Sequence, residues 1–232
     1  MEDDLPLCKD MTRIIMIRHG QSLANAQSRF AGHSDFDLTD LGRKQAECAA
    51  DYLYDIGERP DVIYSSDLLR AHNTAAPIAK KFGLEINDTE GLREIFAGSW
   101  EAMRVEDIYA TYPEAFTTWR MDIARARCTD GESVAELYAR IVKFVCELAE
   151  QNDGKTILLA SHATPVRAID CFSRGYGAER IGDVQFVRNA ALCIFEYENG
   201  AIRPVKTDIV DHLDPSLVTS VPTKLSDIKT EN

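Results

Sequence analysis

The stretch TRIIMIRHG, residues 12–20, decides how this chain is read. Ile14, Ile15, Met16 and Ile17 form an unbroken, largely β-branched apolar run, the pattern of a strand buried on both faces at the centre of a parallel sheet. The run stops abruptly at Arg18, His19 and Gly20, and Gly20 marks a turn. In an open α/β sheet, ligands bind in the crevice beyond the carboxyl ends of the strands, so Arg18 and His19 stand where such a fold does chemistry. The tripeptide alone leaves open that they only solvate a strand end.

Working outward, residues 21–37 read as a short helix followed by a loop. Thr39 reads as the N-cap of an amphipathic helix carrying Leu41, Ala46, Ala49, Ala50, Leu53 and Ile56, stopped by Gly57 and Pro60. Residues 61–66 are a second candidate strand, and a helix over 67–82 follows, in which Pro77 predicts a kink or a division. The periodicity weakens over 85–127, where short helices at 105–109 and 113–123 fit an insertion over the crevice. Gly131, Glu132 and Ser133 open a helix with the stripe Val134, Leu137, Ile141, Val145 and Leu148. Residues 156–160 are a third buried strand running into Ser161, His162, Ala163 and Thr164, so the opening pattern recurs. A helix over 166–172 and a hairpin around Asn199-Gly200 complete the chain. Strands alternating with helices, with no linker rich in Pro, Gly or Ser, predict one α/β domain over 12–211: three αβα layers around a mostly parallel sheet. Residues 1–11 and 212–232 read as tails, the second polar and frayed.

Twenty-six Lys and Arg against 38 Asp and Glu give a net charge of −12, which argues against nucleic acid or an anionic membrane as partner. An anionic substrate then needs local arginines. No apolar run approaches the ~20 residues of a membrane-spanning helix, and the acidic N-terminus lacks a signal-peptide layout, so a cytoplasmic location is expected. Six scattered cysteines without a C-x-x-C pair suggest neither a zinc site nor a disulfide framework. Cys48, Cys146 and Cys193 read as small buried hydrophobes, whereas Cys8 and Cys128 are uninformative. Nothing in the sequence specifies an oligomeric state.

Two strands thus end in histidines, His19 and His162, and Arg70 lies just beyond a third. Parallel packing would gather two imidazoles and two guanidiniums in one crevice. Arginine presents a planar fork matched to phosphate oxygens, so Arg18 and Arg70 clamping one phosphoryl group is sensible chemistry. A metal site is the competing use of the histidines, but no H-x-x-H or H-x-x-x-H spacing occurs and the arginines would repel a cation. His33, His72 and His212 read as surface histidines, and Trp100 and Trp119 as packing residues.

Arg18-His19-Gly20-Gln21-Ser22 resembles the signature of the histidine phosphatase, or phosphoglycerate mutase-like, superfamily. The likeness continues in order through Asn25, Phe30-Ala31-Gly32, residues 37–46 and 65–71, Leu92-Arg93-Glu94, Gly98-Ser99-Trp100-Glu101, Gly131-Glu132-Ser133 and Ser161-His162. An ordered set covering about residues 12 to 205 is far more specific than one motif. The resemblance implies a phosphomonoesterase of a small phosphorylated metabolite, with His19 as nucleophile and a phosphohistidine intermediate. It makes Arg18, Arg70 and His162 the holders of the equatorial oxygens, with Asn25 and the backbone amide of Ala163 assisting. Glu94 would be the general acid, with Glu101 its nearest rival, and Gln21, Glu132 and Ser133 would lie about the substrate. On local pattern alone, Asn25 could simply cap a turn, Glu132 and Ser133 could start their helix, and Gln21 could be a surface residue. The resemblance implies no metal and no other cofactor.

Three departures stand out: Ala163 where the family commonly has glycine, Ala102 likewise, and Phe96-Ala97 in place of an Asp or Asn followed by Phe. They bear on specificity, because leaving-group recognition falls to residues 96–127. Two further functions compete with hydrolysis. A phosphoglycerate mutase would return the phosphoryl group to another hydroxyl, but the arginine-bearing insertion of cofactor-dependent mutases is not found here. A silent phosphate- or phosphopeptide-binding protein would keep the pocket without turnover, although all five principal side chains are present.

Overall fold

The computed structural model describes residues 11–219. The 12–20 stretch forms β1 (Thr12–Arg18), and because successive side chains of a strand face opposite ways its apolar run is shared between two cores. Ile14 and Met16 join the core on one face of the sheet, and Ile15 and Ile17 join the other. Burying both faces is what the unbroken run required, at about 1.5–3 kcal/mol for each large side chain removed from water.

Among the described residues the sheet has six strands: β3 (Ile86–Thr89), β2 (Val62–Ser66), β4 (Thr156–Ser161), β1, β5 (Leu192–Glu198) and β6 (Ala201–Ile209), in that spatial order. The first four pair in parallel, and β5 pairs antiparallel with both β1 and β6, so only β5 is reversed and the sheet is mostly parallel, as expected. The core on the Ile15 face takes in Ala49 and Leu53 of α2 (Asp40–Asp55) and Ala75 and Ile78 of α3 (Leu69–Phe82). The opposite core takes in Leu137 and Ile141 of α6 (Val134–Gln151) and Val166 and Ile169 of α7 (Ala163–Ser173). These are the three expected layers. Short helices α4 (Val105–Thr111) and α5 (Pro113–Met121) lie in the weakly patterned segment, and Trp100 is buried there among Phe30, Phe116 and Trp119.

Local signals account for several boundaries. Thr39 caps α2 by accepting from the Gly42 amide, and Ser133 opens α6 with a capping box to Glu136. Pro77 neither divides nor ends α3, because buried Ala71, Thr74, Ala75 and Ile78 pack the helix on both sides of it. The β3 strand has no counterpart in the sequence reading: INDT is short, polar and at the sheet edge, where one partner strand suffices.

Other expectations are corrected. His33 is half-buried rather than free at the surface, and its Nε2 donates to the Glu94 carbonyl at 2.9 Å. His212 is held between the Ala190 carbonyl and the Tyr52 ring, and Cys48 and Cys146 are half-buried rather than buried. Beyond His212 the chain does not fray at once: Leu213 is buried, Leu217 O accepts from Gln45 Nε2 at 2.7 Å, and Thr219 Oγ1 donates to Asn189 Oδ1 at 2.9 Å. Residues 1–10, including Cys8, and residues 220–232 lie outside the described residues.

One close approach fixes the corner after β1. A Cβ on Gly20 would lie 2.5 Å from the Gly42 carbonyl oxygen, and a Cβ on Gly42 would lie 2.1 Å from the Gln21 carbonyl oxygen. The first turn of α2 therefore meets the corner backbone against backbone, and only glycine fits on either side. Gly42→Ala is expected to lower stability by about 2 kcal/mol or more, because neither wall is a side chain that can rotate away. Urea unfolding checks this; an unchanged midpoint would contradict it.

Candidate active site

The parallel register of β1 and β4 pairs Arg18 with Ser161, and the His19 amide extends the ladder to the Ser161 carbonyl at 2.9 Å. The residue after each strand, His19 and His162, is thereby set side by side. Their rings meet edge to face with centroids 5.2 Å apart, at 5% and 0% exposure. His162 also precedes α7 without capping it through its side chain, so the Ala163 amide opens that helix uncapped beside the histidines.

The His19 ring is oriented by its own chain: Nδ1 lies 2.7 Å from the Gly20 carbonyl oxygen. A carbonyl only accepts, so Nδ1 carries the proton and Nε2 carries the lone pair. Burial, then the positive charges of Arg70 and Arg18, hold the His19 pKa well below the usual imidazole range, against a smaller opposing pull from the Gly20 bond. His162 is pushed the same way by burial, then by Arg70, His19, His33 and Arg18. Its Nε2 sits 2.9 Å from Ser66 Oγ, and its Nδ1 is buried with no partner among the described residues.

Arg70 is fully buried at the start of α3, with Nη1 donating to Ser34 O at 2.9 Å and Nη2 to Gly32 O at 2.7 Å. Arg18 donates from Nη1 to Val187 O at 2.6 Å and lies over the Phe186 ring. In each the buried Nε–H has no partner among the described residues. Burial lowers both guanidiniums to about 10, partly offset by the negative charge of Glu94, so both stay charged at neutral pH. Two fixed buried cations with donors to spare, beside two neutral imidazoles, suit a tetrahedral dianion.

Glu94 and Glu101 are bonded differently. Both Glu101 oxygens are consumed, accepting from His33 N, Ala97 N, Ser34 N and Ser34 Oγ, so Glu101 ties two loops together. Glu94 keeps a carboxylate at the α7 N-terminus, where Oε2 accepts from Thr164 N at 3.3 Å and Oε1 from Ile95 N at 2.9 Å. Glu132 makes a fork-to-fork pair with Arg140, whose Nη2 donates to Glu94 O at 3.3 Å, and accepts from Phe96 N. Glu132 therefore holds the Glu94 loop without bonding the histidines, and Ser133 is occupied as the cap of α6.

Asn25 caps a turn, as its local pattern allows. Its Oδ1 accepts from Ser22 N as part of a capping box and from Asn189 Nδ2 at 3.2 Å, which leaves its amide nitrogen as a spare donor. Gln21 turns its side chain to Thr39 Oγ1 and is bonded into the corner, not to the histidines. Sequence reasoning missed Ser66, Thr74, Gln45 and Asn189, which bond the site from behind as ordinary helix, strand and loop residues. Ala102 takes a φ of +59°, which explains why glycine suits that position. Among the described residues no group of three or more His, Cys, Asp or Glu is placed to hold a metal ion.

Comparison with known proteins places this geometry. The model of the histidine phosphatase superfamily (branch 1) matches residues 14–209. The chain is 33% identical over 203 residues to phosphoserine phosphatase 1 of Hydrogenobacter thermophilus, covering 88% of this chain and 95% of that one. It is 36% identical over 164 residues to the glucosyl-3-phosphoglycerate phosphatase of Mycolicibacterium vanbaalenii, covering 68% and 72%. Among solved structures, a mycobacterial glucosyl-3-phosphoglycerate phosphatase in complex with VO3 superposes with a TM-score of 0.77 at 29% identity, over 84% of this chain and 98% of that chain. A phosphoserine phosphatase mutant from Entamoeba histolytica, in complex with phosphoserine, gives 0.76 at 26% identity, over 87% and 99%.

The depressed His19 pKa has a kinetic consequence. For His19 to attack phosphorus, as the sequence resemblance implies, its imidazole must be neutral, and the neutral form prevails above the pKa, so the acid limb of kcat/KM is expected below the ordinary imidazole value of about 6.5. A pH–rate profile tests this; a limb at or above that value would contradict it. The chain belongs to the histidine phosphatase superfamily, branch 1.

Proposed function

We propose that the protein is a metal-independent phosphomonoesterase that hydrolyses a small phosphorylated metabolite through a phosphohistidine at His19. The observation that carries this is the pairing of a neutral, oriented His19 Nε2 with two buried arginines whose Nε donors are unpaired. Substrate phosphate sits between Arg18, Arg70 and His162, with Asn25 and the Ala163 amide completing the donor set. With Ser66 donating to Nε2 of His162, the Nδ1–H of His162 is a further donor to a phosphoryl oxygen.

In the first half-reaction the His19 Nε2 lone pair attacks phosphorus while the ester P–O bond breaks, and Glu94 protonates the departing alkoxide. In the second, Glu94 takes a proton from water, whose oxygen attacks the phosphohistidine and returns the pair to His19. The clamp stabilises charge on the three equatorial oxygens in both directions, so the step relies on fixed protein cations and positioning. Phosphoserine and the phosphoglycerate esters are the first compounds to screen, because the relatives named above act on such esters.

The role of Glu94 is tested by leaving-group dependence. Glu94→Gln is expected to lower turnover of an alkyl phosphate such as phosphoserine about 100-fold or more, and that of an activated aryl phosphate far less, since a phenolate leaves without a proton. EDTA should change neither wild-type rate. Equal losses on both esters would remove Glu94 as the acid, and loss with EDTA restored by a divalent ion would refute metal independence. Isomerisation of 3-phosphoglycerate without phosphate release would favour the mutase reading.

A further inference from the structure

Two planar peptide units flank Gly20, and both are clamped at each end. In the unit joining His19 to Gly20, the carbonyl accepts from Asn189 Nδ2 at 3.1 Å and Ala190 N at 3.2 Å, while the Gly20 amide donates to Thr74 Oγ1 at 3.0 Å. In the unit joining Gly20 to Gln21, the carbonyl takes the His19 Nδ1 proton and the Gln21 amide donates to Gln45 Oε1 at 2.8 Å. Because a peptide unit is planar, holding its N–H also aims its C=O. Gln45 thus aims the oxygen that orients the His19 ring.

Gln45 and Asn189 are both buried side-chain amides, at 0% and 5% exposure, and neither ends at the corner. Gln45 Nε2 donates to the Leu217 carbonyl, and Asn189 Oδ1 accepts from the Thr219 hydroxyl. The terminal torsion of an amide side chain is broad, so one hydrogen bond leaves its plane loose and a second, at the opposite end, fixes it. The partner types also fix which end is oxygen: Gln45 must accept from an N–H and donate to a carbonyl, and Asn189 must donate to the His19 carbonyl and accept from a hydroxyl. The same Asn189 nitrogen reaches Asn25 Oδ1.

We infer that the segment around Leu217 and Thr219 is a positioning strap for the nucleophile. It touches neither the histidine rings nor Arg18 or Arg70; it fixes two buried amides, and these fix the peptide planes that aim His19 Nε2. Thr219 and Gln45 are accordingly positioning residues. A displacement of about 1 Å at a reacting atom costs up to about 100-fold in rate, whereas Arg18 and Arg70, the charged part of the clamp, are anchored on the Val187, Ser34 and Gly32 carbonyls and keep their hold on the anion; only Asn25, through Asn189, is shared with the strap. Loosening the strap therefore slows attack on phosphorus without weakening anion binding.

This inference rests on the reading of His19 as nucleophile, and the test separates the two. In the full-length chain, Thr219→Val removes the hydroxyl at nearly constant shape, Thr219→Ser retains it, and Gln45→Met removes the second amide. The rate of phosphoryl-enzyme formation is measured by rapid quench in alkaline denaturant with substrate labelled in its phosphoryl group, and clamp affinity by inhibition with orthophosphate. Thr219→Val and Gln45→Met are expected to slow phosphoryl-enzyme formation about 10-fold or more, with orthophosphate inhibition within about twofold of wild type and Thr219→Ser near wild-type rate. If Thr219→Val forms phosphoryl-enzyme at the wild-type rate while His19→Ala forms none, the strap is wrong and the nucleophile stands. If rate and orthophosphate affinity fall together, the segment is merely structural. If His19→Ala turns over like wild type, the reading beneath the inference fails.

Discussion

The planar peptide between Gly20 and Gln21 is the constraint on which the site depends. Its carbonyl takes the Nδ1 proton of His19, which leaves Nε2 as the lone pair, and its amide is bonded to Gln45. The unit can lie there only because Gly20 and Gly42 carry no Cβ, so the first turn of α2 abuts the corner through backbone alone. The sheet does the rest. Parallel pairing of β1 with β4 brings the next residue of each strand into edge-to-face contact, and the two apolar faces of β1 seat that pairing between helical layers.

The electrostatics resolve an apparent contradiction. A chain of net charge −12 does not attract phosphate by its overall field, yet it buries two arginines side by side with the histidines. Each is fixed by carbonyls, Arg70 by Gly32 and Ser34 and Arg18 by Val187, so among the described residues no carboxylate is spent in direct pairing. Their charge survives burial, and it adds to burial, the larger cause, in holding both imidazole pKa values well below the usual range. The same cations that would hold an anion thus help burial to keep His19 unprotonated, and in the proposed reaction they would supply in fixed form what a metal ion supplies elsewhere.

Much of this was legible in the sequence, for identifiable reasons. A buried parallel strand must be apolar on both faces, so β1 and β4 announced themselves, and with them the positions of His19 and His162. Thr39 and Ser133 signalled helix starts because capping needs their hydroxyls. Edge strand β3 was not legible, because one-sided pairing does not demand apolar residues. Glu94 could not be told from Glu101 by pattern: what separates them is where each carboxylate spends its lone pairs, which only the fold decides. Gln45, Asn189 and Thr219 are ordinary polar residues 26, 170 and 200 positions from His19, and only tertiary folding brings them to one corner. His33 looked like a surface histidine for the same reason, although it supports the Glu94 loop.

The central claim is that phosphorus is transferred to Nε2 of His19, the ring nitrogen left free by the Gly20 carbonyl. Quench in alkaline denaturant of the enzyme turning over a substrate labelled in its phosphoryl group, followed by identification of the modified residue and ring nitrogen, tests it most directly. The account predicts an acid-labile phosphoryl group on Nε2 of His19 that forms and decays at rates compatible with turnover. Label on His162, label on Nδ1 of His19, or turnover through no phosphoryl-enzyme would contradict it.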